Sequence, residues 1–318
     1  MIQLVLIYLL LFAEGEVKSS VDFQQWERMK SGKGFIAALD QSGGSTPKAL
    51  KLYGLNESSY RNELEMFALV HEMRSRIIKS PVFDSSRILG VILFQMTMES
   101  QIEGVGTAEF LWQEKQIVPF LKIDLGLDSE KDGVALMKPI SELENRLATA
   151  KGHKVFGTKM RSIIKMANPL GIEEIIKQQF DYARQISAQE LVPIVEPEID
   201  INSPEKGRAE MLLRDSLLRH LDQLRNEEIV ILKLTLPEEP GFYNELVSHP
   251  QVLRVAALSG GYSRDRANAL LARNPGVIAS FSRALTEGLT AQQSDLEFNE
   301  QLDKAIESIY SALRTKEK

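Results

Sequence analysis

The run Ile229-Val-Ile-Leu-Lys-Leu-Thr-Leu236 places a lysine in the middle of an apolar strand. Strand side chains alternate between two faces, so Ile229, Ile231, Lys233 and Thr235 share one face. Val230, Leu232, Leu234 and Leu236 take the other. A lysine is seldom buried without a partner or a task. Burial disfavours the ammonium form and yields a neutral, nucleophilic amine. The fold must therefore supply an interior in which this face is useful.

Working outward, similar apolar runs lie at residues 34–40, 88–95, 118–124, 155–162, 191–199, 254–261 and 277–284, each bounded by Gly, Pro, Asn or charged residues. Apolar residues at helical spacing fill 57–78, 171–189, 208–224, 263–272 and 292–313, with a shorter helix at 142–150. Ser263 is the expected N-cap of its helix, after the Gly260-Gly261 turn. Eight β/α units in 318 residues predict an α/β fold of the (β/α)8 TIM-barrel type. The alternative is a doubly wound open sheet. No G-x-G-x-x-G follows a strand and no Walker lysine is present, which counts against its nucleotide-binding forms.

Parity then sorts the charges. Ile36, Ala38 and Asp40 share a face, as do Phe120, Lys122 and Asp124. So do Val155, Gly157, Lys159 and Arg161, and likewise Ile194, Glu196 and Glu198. In every case the charges gather at the C-terminal end of the strand, where barrels of this kind carry their sites. The expected interior set is Asp40, Lys122, Asp124, Lys159, Arg161, Glu196, Glu198 and Lys233. It mixes signs, as buried charges must if they are to pair. An exposed salt bridge explains any one of them. It does not explain all of them falling in phase.

The chemistry suited to this set is amine catalysis on a carbonyl. A neutral lysine adds to a ketone, water leaves the carbinolamine, and the protonated imine accepts the electrons of a breaking carbon–carbon bond. A second lysine nearby would lower the pKa of the first by like-charge repulsion. A carboxylate would move the protons.

Composition sets limits on this reading. A net charge of −6 argues against a broad nucleic-acid surface, so anionic ligands must meet local clusters of Lys and Arg. The chain has no cysteine, which excludes thiol catalysis, disulfides and thiolate metal sites and suits a reducing, cytoplasmic setting. His71, His153, His220 and His249 have no metal-ligand spacing and are expected on the surface or at helix ends. No metal site and no separate cofactor is expected. The apolar block 1–13 is too short to span a bilayer, and residues 1–20 read as an extension and linker ahead of one barrel domain over 21–318.

Two motifs read as phosphate cradles. Leu258-Ser-Gly-Gly-Tyr-Ser263 ends one strand and opens a helix, so backbone N–H groups at Ser259, Gly260 and Gly261 can approach an oxyanion. The next unit carries Ser280-Phe-Ser-Arg-Ala-Leu285, whose Arg283 can hold a phosphate through two parallel hydrogen bonds. Barrels often bind phosphate after strands seven and eight, which is where both motifs fall.

With these motifs assembled, the chain resembles the class I fructose-bisphosphate aldolases, the shorter bacterial-type branch most of all. The segments that carry the resemblance are Leu39-Asp-Gln-Ser-Gly-Gly-Ser-Thr-Pro47, Phe120-Leu-Lys-Ile-Asp124, Gly157-Thr-Lys-Met-Arg161, Val195-Glu-Pro-Glu198, Leu232-Lys-Leu-Thr235, Leu258-Ser-Gly-Gly261 and Ser280-Phe-Ser-Arg-Ala-Leu285, in family order. The resemblance implies that Lys233 forms the imine, Glu196 is the general acid/base, and Glu198 is the carboxylate that orients the site. It implies that Asp40 handles the C4 hydroxyl and carbinolamine steps, with Lys159 beside the nucleophile. Lys122 and Arg161 would line the substrate channel. Ser259, Gly260, Gly261, Ser282 and Arg283 would bind the C1 phosphate. The implied reaction is metal-independent cleavage of fructose 1,6-bisphosphate to dihydroxyacetone phosphate and glyceraldehyde 3-phosphate. Sugar phosphates are then the partners, nucleic acid and membrane are not, and a homo-oligomer is allowed.

The chain departs from the family pattern in two places. Leu125 stands where many relatives carry a basic residue, three positions after the channel lysine. The animal-type C-terminal tyrosine has no counterpart, and the last tyrosine, Tyr310, falls inside a helical pattern. Competing readings are another Schiff-base aldolase, a transaldolase-like enzyme on a different sugar phosphate, or a non-catalytic barrel. The last would be expected to lack Lys233 or Glu196.

Overall fold

The computed structural model describes residues 22–41 and 45–314. The expected extension at 1–20 lies outside the described residues, as do 42–44 of the motif beginning at Leu39 and the last four residues. Eight parallel strands follow one another around the sheet: β1 (Phe35–Leu39), β2 (Ile88–Leu93), β3 (Val118–Lys122), β4 (Gly157–Ile164), β5 (Val192–Ile199), β6 (Val230–Thr235), β7 (Val252–Leu258) and β8 (Val277–Ala279). The Ala38 N–H donates to the Phe281 carbonyl at 3.1 Å, so the chain just past β8 meets β1 and closes the ring. The expected (β/α)8 architecture is the observed one.

The alternation read from sequence separates two apolar layers. Leu232, Leu234, Leu121, Ile123, Val195, Val255 and their equivalents pack outward beneath the helices. Ile36, Ala38, Ile92, Phe120, Ile194, Ile231, Ala256 and Ile278 face inward. The inner layer holds the Phe120 ring among small neighbours, with Phe156 edge-on to it at 5.5 Å between centroids. A Cβ on Gly157 would stand 2.1 Å from the Val192 carbonyl oxygen and 3.0 Å from the Phe120 ring. A Cβ on Gly90 would lie 3.0 Å from the Val118 oxygen. On five strands an inward residue is followed two positions later by a charged one: Ala38 by Asp40, Phe120 by Lys122, Gly157 by Lys159, Ile194 by Glu196, Ile231 by Lys233. The interior is thus an apolar floor with a charged layer above it.

The floor is completed by a helix that the periodicity reading missed, Phe23–Ser31, capped by Asp22, whose Oδ1 accepts from the N–H groups of Gln24 and Gln25. Its Trp26 and Met29 enter the barrel interior, and Trp26 meets Phe156 with ring centroids 6.4 Å apart. Arg254 of β7 ties this helix down, donating from Nε to the Met29 carbonyl at 2.6 Å and from Nη2 to the Gly32 carbonyl at 2.9 Å. Arg254→Ala is expected to cost about 2–3 kcal/mol of stability, the loss of two charge-assisted bonds. It should spare turnover, because this end of the barrel is opposite the charged layer. Denaturant melting alongside an activity assay checks both halves.

Several expectations need correction. The eighth strand stops at Ala279 rather than running through 284, and Arg283–Thr286 is a helical turn. The short helices Thr46–Leu52, Gln95–Glu99 and Thr107–Gln113 were not anticipated; they have too few turns to show a periodicity. His220 sits in the last turn of its helix, one of the two placements expected of it, though away from the surface. It is buried between helices Pro169–Ala188 and Lys206–Leu221, with its ring 5.3 Å from that of Phe180 and Nε2 2.8 Å from Glu173 Oε1. No helix among the described residues is long and apolar enough to cross a membrane.

Candidate active site

The C-terminal ends of the strands open into a cavity of about 520 Å³. Asp40, Lys122, Lys159, Arg161, Glu196, Glu198 and Lys233 line it, together with Ser259, Gly260, Ser282 and Arg283. Strand register explains the convergence. Lys122 stands beside Lys159 across β3 and β4, Arg161 beside Glu196 across β4 and β5, and Lys233 beside Ala256 across β6 and β7.

Four groups form a chain at the centre. Glu196 lies between two ammonium groups, its Oε1 3.0 Å from Lys233 Nζ and its Oε2 3.0 Å from Lys159 Nζ. Lys159 Nζ also stands 2.6 Å from Asp40 Oδ2. Each of these four side chains is at least nine-tenths buried. Burial would push the Asp40 carboxyl up, but Lys159, Lys233 and Lys122 outweigh it and hold Asp40 well below the usual carboxylate range. Burial would likewise pull Lys159 down, and Asp40, Glu196 and Asp124 instead raise it above the ordinary lysine value. Lys159 is therefore a fixed ammonium. It is the like charge expected beside the nucleophile, and it is paired with two carboxylates, as the mixed signs of the interior set require.

Around this centre the other charges also pair. Arg161 Nε donates to Glu198 Oε2, which commits Glu198 to holding the guanidinium rather than touching either lysine. Lys122 Nζ donates to Asp124 Oδ1 at 2.6 Å and to the Asp124 carbonyl at 2.9 Å. The Glu196 backbone N–H donates to Gln179 Oε1 at 2.9 Å, a buried amide that reaches in from helix Pro169–Ala188.

The two cradle motifs meet at the rim. Gly260 and Gly261 have φ of 60° and 119°, values that suit glycine. A Cβ on Gly260 would press to 2.6 Å on Ile201, and one on Gly261 would sit 3.4 Å from Arg283 Nη2. The guanidinium thus lies against the bare α-carbon of the turn. Arg283 forms no ion pair among the described residues. Glu287, one helical turn on, instead accepts from the Arg264 N–H at 3.3 Å. Ser282 Oγ accepts from Gln41 Nε2 at 2.5 Å.

Leu125 is partly exposed and does not line the cavity. Lys48, on helix Thr46–Leu52, does line it and was not singled out from the sequence. The available signal was its position one residue past the Ser-Thr-Pro segment. Buried Ser280 also lines the cavity, and its Oγ has no partner among the described residues. Tyr310 lies on the outer helix Asp295–Arg314 beneath the Arg314 guanidinium, away from the cavity.

Fold and cavity together define a (β/α)8 barrel whose C-terminal mouth holds a buried lysine–carboxylate centre. The family model for fructose-bisphosphate aldolase class-I matches residues 25–235. A protein of Synechocystis sp. named fructose-bisphosphate aldolase class 1 is 59% identical over 289 residues, covering 91% of this chain and 96% of its own length. One of the same name from Porphyromonas gingivalis is 55% identical over 289 residues, covering 91% and 98%. The solved fructose-bisphosphate aldolase of Plasmodium falciparum superposes with a TM-score of 0.73 at 21% identity, over 95% of this chain and 97% of that one, and speaks for the fold. The chain belongs to the class I fructose-bisphosphate aldolase family.

Proposed function

We propose that the chain cleaves fructose 1,6-bisphosphate to dihydroxyacetone phosphate and glyceraldehyde 3-phosphate through an imine on Lys233, without a metal or a separate cofactor. The observation that carries this reading is the buried Lys233–Glu196–Lys159–Asp40 chain at the barrel mouth. Lys233 Nζ adds to C2 of the open-chain ketose. Glu196, in contact with that nitrogen, takes a proton from it before the addition and returns that proton to the C2 hydroxyl, which leaves as water. The C4 hydroxyl then loses its proton toward Asp40 or Glu196. The C3–C4 electron pair moves to the iminium nitrogen, and glyceraldehyde 3-phosphate departs. Protonation of the enamine at C3 and hydrolysis of the imine release dihydroxyacetone phosphate and restore Lys233. Lys159, held as an ammonium by its two carboxylates, stabilises the oxyanion that develops at C4. A coupled assay with and without chelator tests the whole reading, and a rate abolished by chelator overturns it.

The Ser259-Gly260-Gly261 turn with Ser282 and Arg283 takes the C1 phosphate in this reading, while Lys48 and Lys122 face the other end. Arg283 is more exposed than the central lysines. Arg283→Ala is therefore expected to weaken dihydroxyacetone phosphate by about 1.5–3 kcal/mol, the range for a hydrogen bond to a charged group. Unphosphorylated dihydroxyacetone should be nearly indifferent to the change. Equal affinities of variant and parent for the phosphorylated ligand would remove Arg283 from the site. We place the reaction in the cytoplasm, in keeping with a cysteine-free chain.

A further inference from the structure

Arg74 is the largest fully buried side chain among the described residues, at 1% exposure. It projects from helix Glu63–Lys79, outside the barrel wall, and no carboxylate lies within ion-pair distance of it among the described residues. Burying a guanidinium with no carboxylate in contact is costly, and the charge of Asp40 offsets this only from a distance, so its hydrogen bonds must serve some purpose. Nη2 donates to the Gln41 main-chain carbonyl at 2.5 Å and lies 3.5 Å from Gln41 Oε1. Nη1 donates to Thr97 Oγ1 at 2.7 Å, on the short helix after β2. Nε is buried without a partner among the described residues, and the Phe94 ring lies 6.0 Å from the guanidinium carbon.

Gln41 is the residue directly after Asp40, and its side-chain amide donates to Ser282 Oγ. A continuous line of contacts, Thr97–Arg74–Gln41–Ser282, therefore runs along the rim across the ends of β2, β1 and β8. We infer that Arg74 is a positioning residue: it anchors Gln41, just past β1, so that Asp40 stays against Lys159 and Gln41 stays on Ser282 of the phosphate cradle. One group thereby ties proton handling at C4 to phosphate seating at C1. The inference rests on the roles proposed for Asp40 and Ser282. A lysine is too narrow to span both acceptors but keeps a donor on the Gln41 carbonyl. A methionine fills similar space and donates nothing.

The test compares Arg74→Met, Arg74→Lys and Thr97→Val in the full chain, measuring kcat, dihydroxyacetone phosphate affinity and melting temperature. Arg74→Met should lower kcat about tenfold or more, since displacements of an ångström at a reacting group cost up to 10²-fold. It should weaken dihydroxyacetone phosphate about threefold or more while leaving the unphosphorylated analogue unchanged. Arg74→Lys should recover at least half of the loss on a logarithmic scale. Thr97→Val, which removes only the outer anchor, should give an intermediate kcat with little loss of melting temperature. It decides the matter if Arg74→Met does not fold. Near-parental kcat and affinity in Arg74→Met or Thr97→Val, or Arg74→Lys no better than Arg74→Met, overturns the inference. Asp40→Asn in the same assay separates the premise. If Asp40→Asn keeps full turnover, the role given to Asp40 is wrong, whatever Arg74 does.

Discussion

Borohydride added with dihydroxyacetone phosphate is expected to fix its label on Lys233 alone, and Lys233→Met is expected to lose cleavage by a factor on the order of 10⁵. The barrel holds three buried or half-buried lysines at its mouth, so the choice needs a physical reason. Lys159 is clamped by Asp40 and Glu196, which raise it above the ordinary lysine value and keep its lone pair occupied by a proton. Lys122 donates to both the side chain and the main chain of Asp124. Lys233 has Glu196 as its single ion-pair partner among the described residues, and that partner is shared with Lys159. It also stands on the apolar floor directly above Ile231. It is thus the least tightly held of the three lysines, and the one whose partner carboxylate is shared. Methionine preserves most of the volume, so Lys233→Met should fold. Peptide mapping that finds the label on Lys122 or Lys159 would sink the assignment. The alkaline limb of the rate profile should not come from Lys159, because its raised pKa keeps it charged through and beyond the ordinary lysine range.

What could be read from the sequence divides along a physical line. Strand parity fixes which face a residue takes, and barrel closure turns one face into a shared interior. Asp40, Lys122, Lys159, Arg161, Glu196, Glu198 and Lys233 were therefore accessible from alternation alone. The Ser259-Gly260-Gly261 turn and Arg283 were accessible because positive φ and a strand-to-helix junction leave a signature in residue type. Arg74, Gln41, Gln179 and Lys48 were not, because each reaches the site from a helix or loop whose placement depends on tertiary packing. One signal for Arg74 was present. It sits in phase with Met66, Val70, Met73, Ile77 and Ile78, so the apolar stripe of helix Glu63–Lys79 contains a charge. His220, between Leu217 and Leu221, shows the same pattern. A charged or polar residue inside an apolar stripe deserves the suspicion given to a lysine inside an apolar strand.

Glu196→Gln carries the second large expected effect, a fall in kcat of roughly 10²–10⁴-fold with substrate affinity changed far less. The carboxylate touches both lysines, and in the mechanism proposed above it exchanges protons with the imine nitrogen and with the substrate hydroxyls. Gln keeps the shape and the Gln179 contact, which is made by the backbone N–H, but can neither take nor give the proton. Lys159 still has Asp40 after the change, while Lys233 loses its ion-pair partner. Glu198→Gln provides the contrast. Its carboxylate contacts Arg161 and neither lysine, so turnover should fall much less while the channel guanidinium loosens. Single-turnover trapping with borohydride separates the steps. In Glu196→Gln, imine formation from dihydroxyacetone phosphate should slow together with cleavage, while equilibrium binding of a phosphorylated alcohol that cannot form an imine stays near parental. Near-normal turnover in Glu196→Gln, or a larger loss in Glu198→Gln than in Glu196→Gln, would transfer the acid/base role away from Glu196.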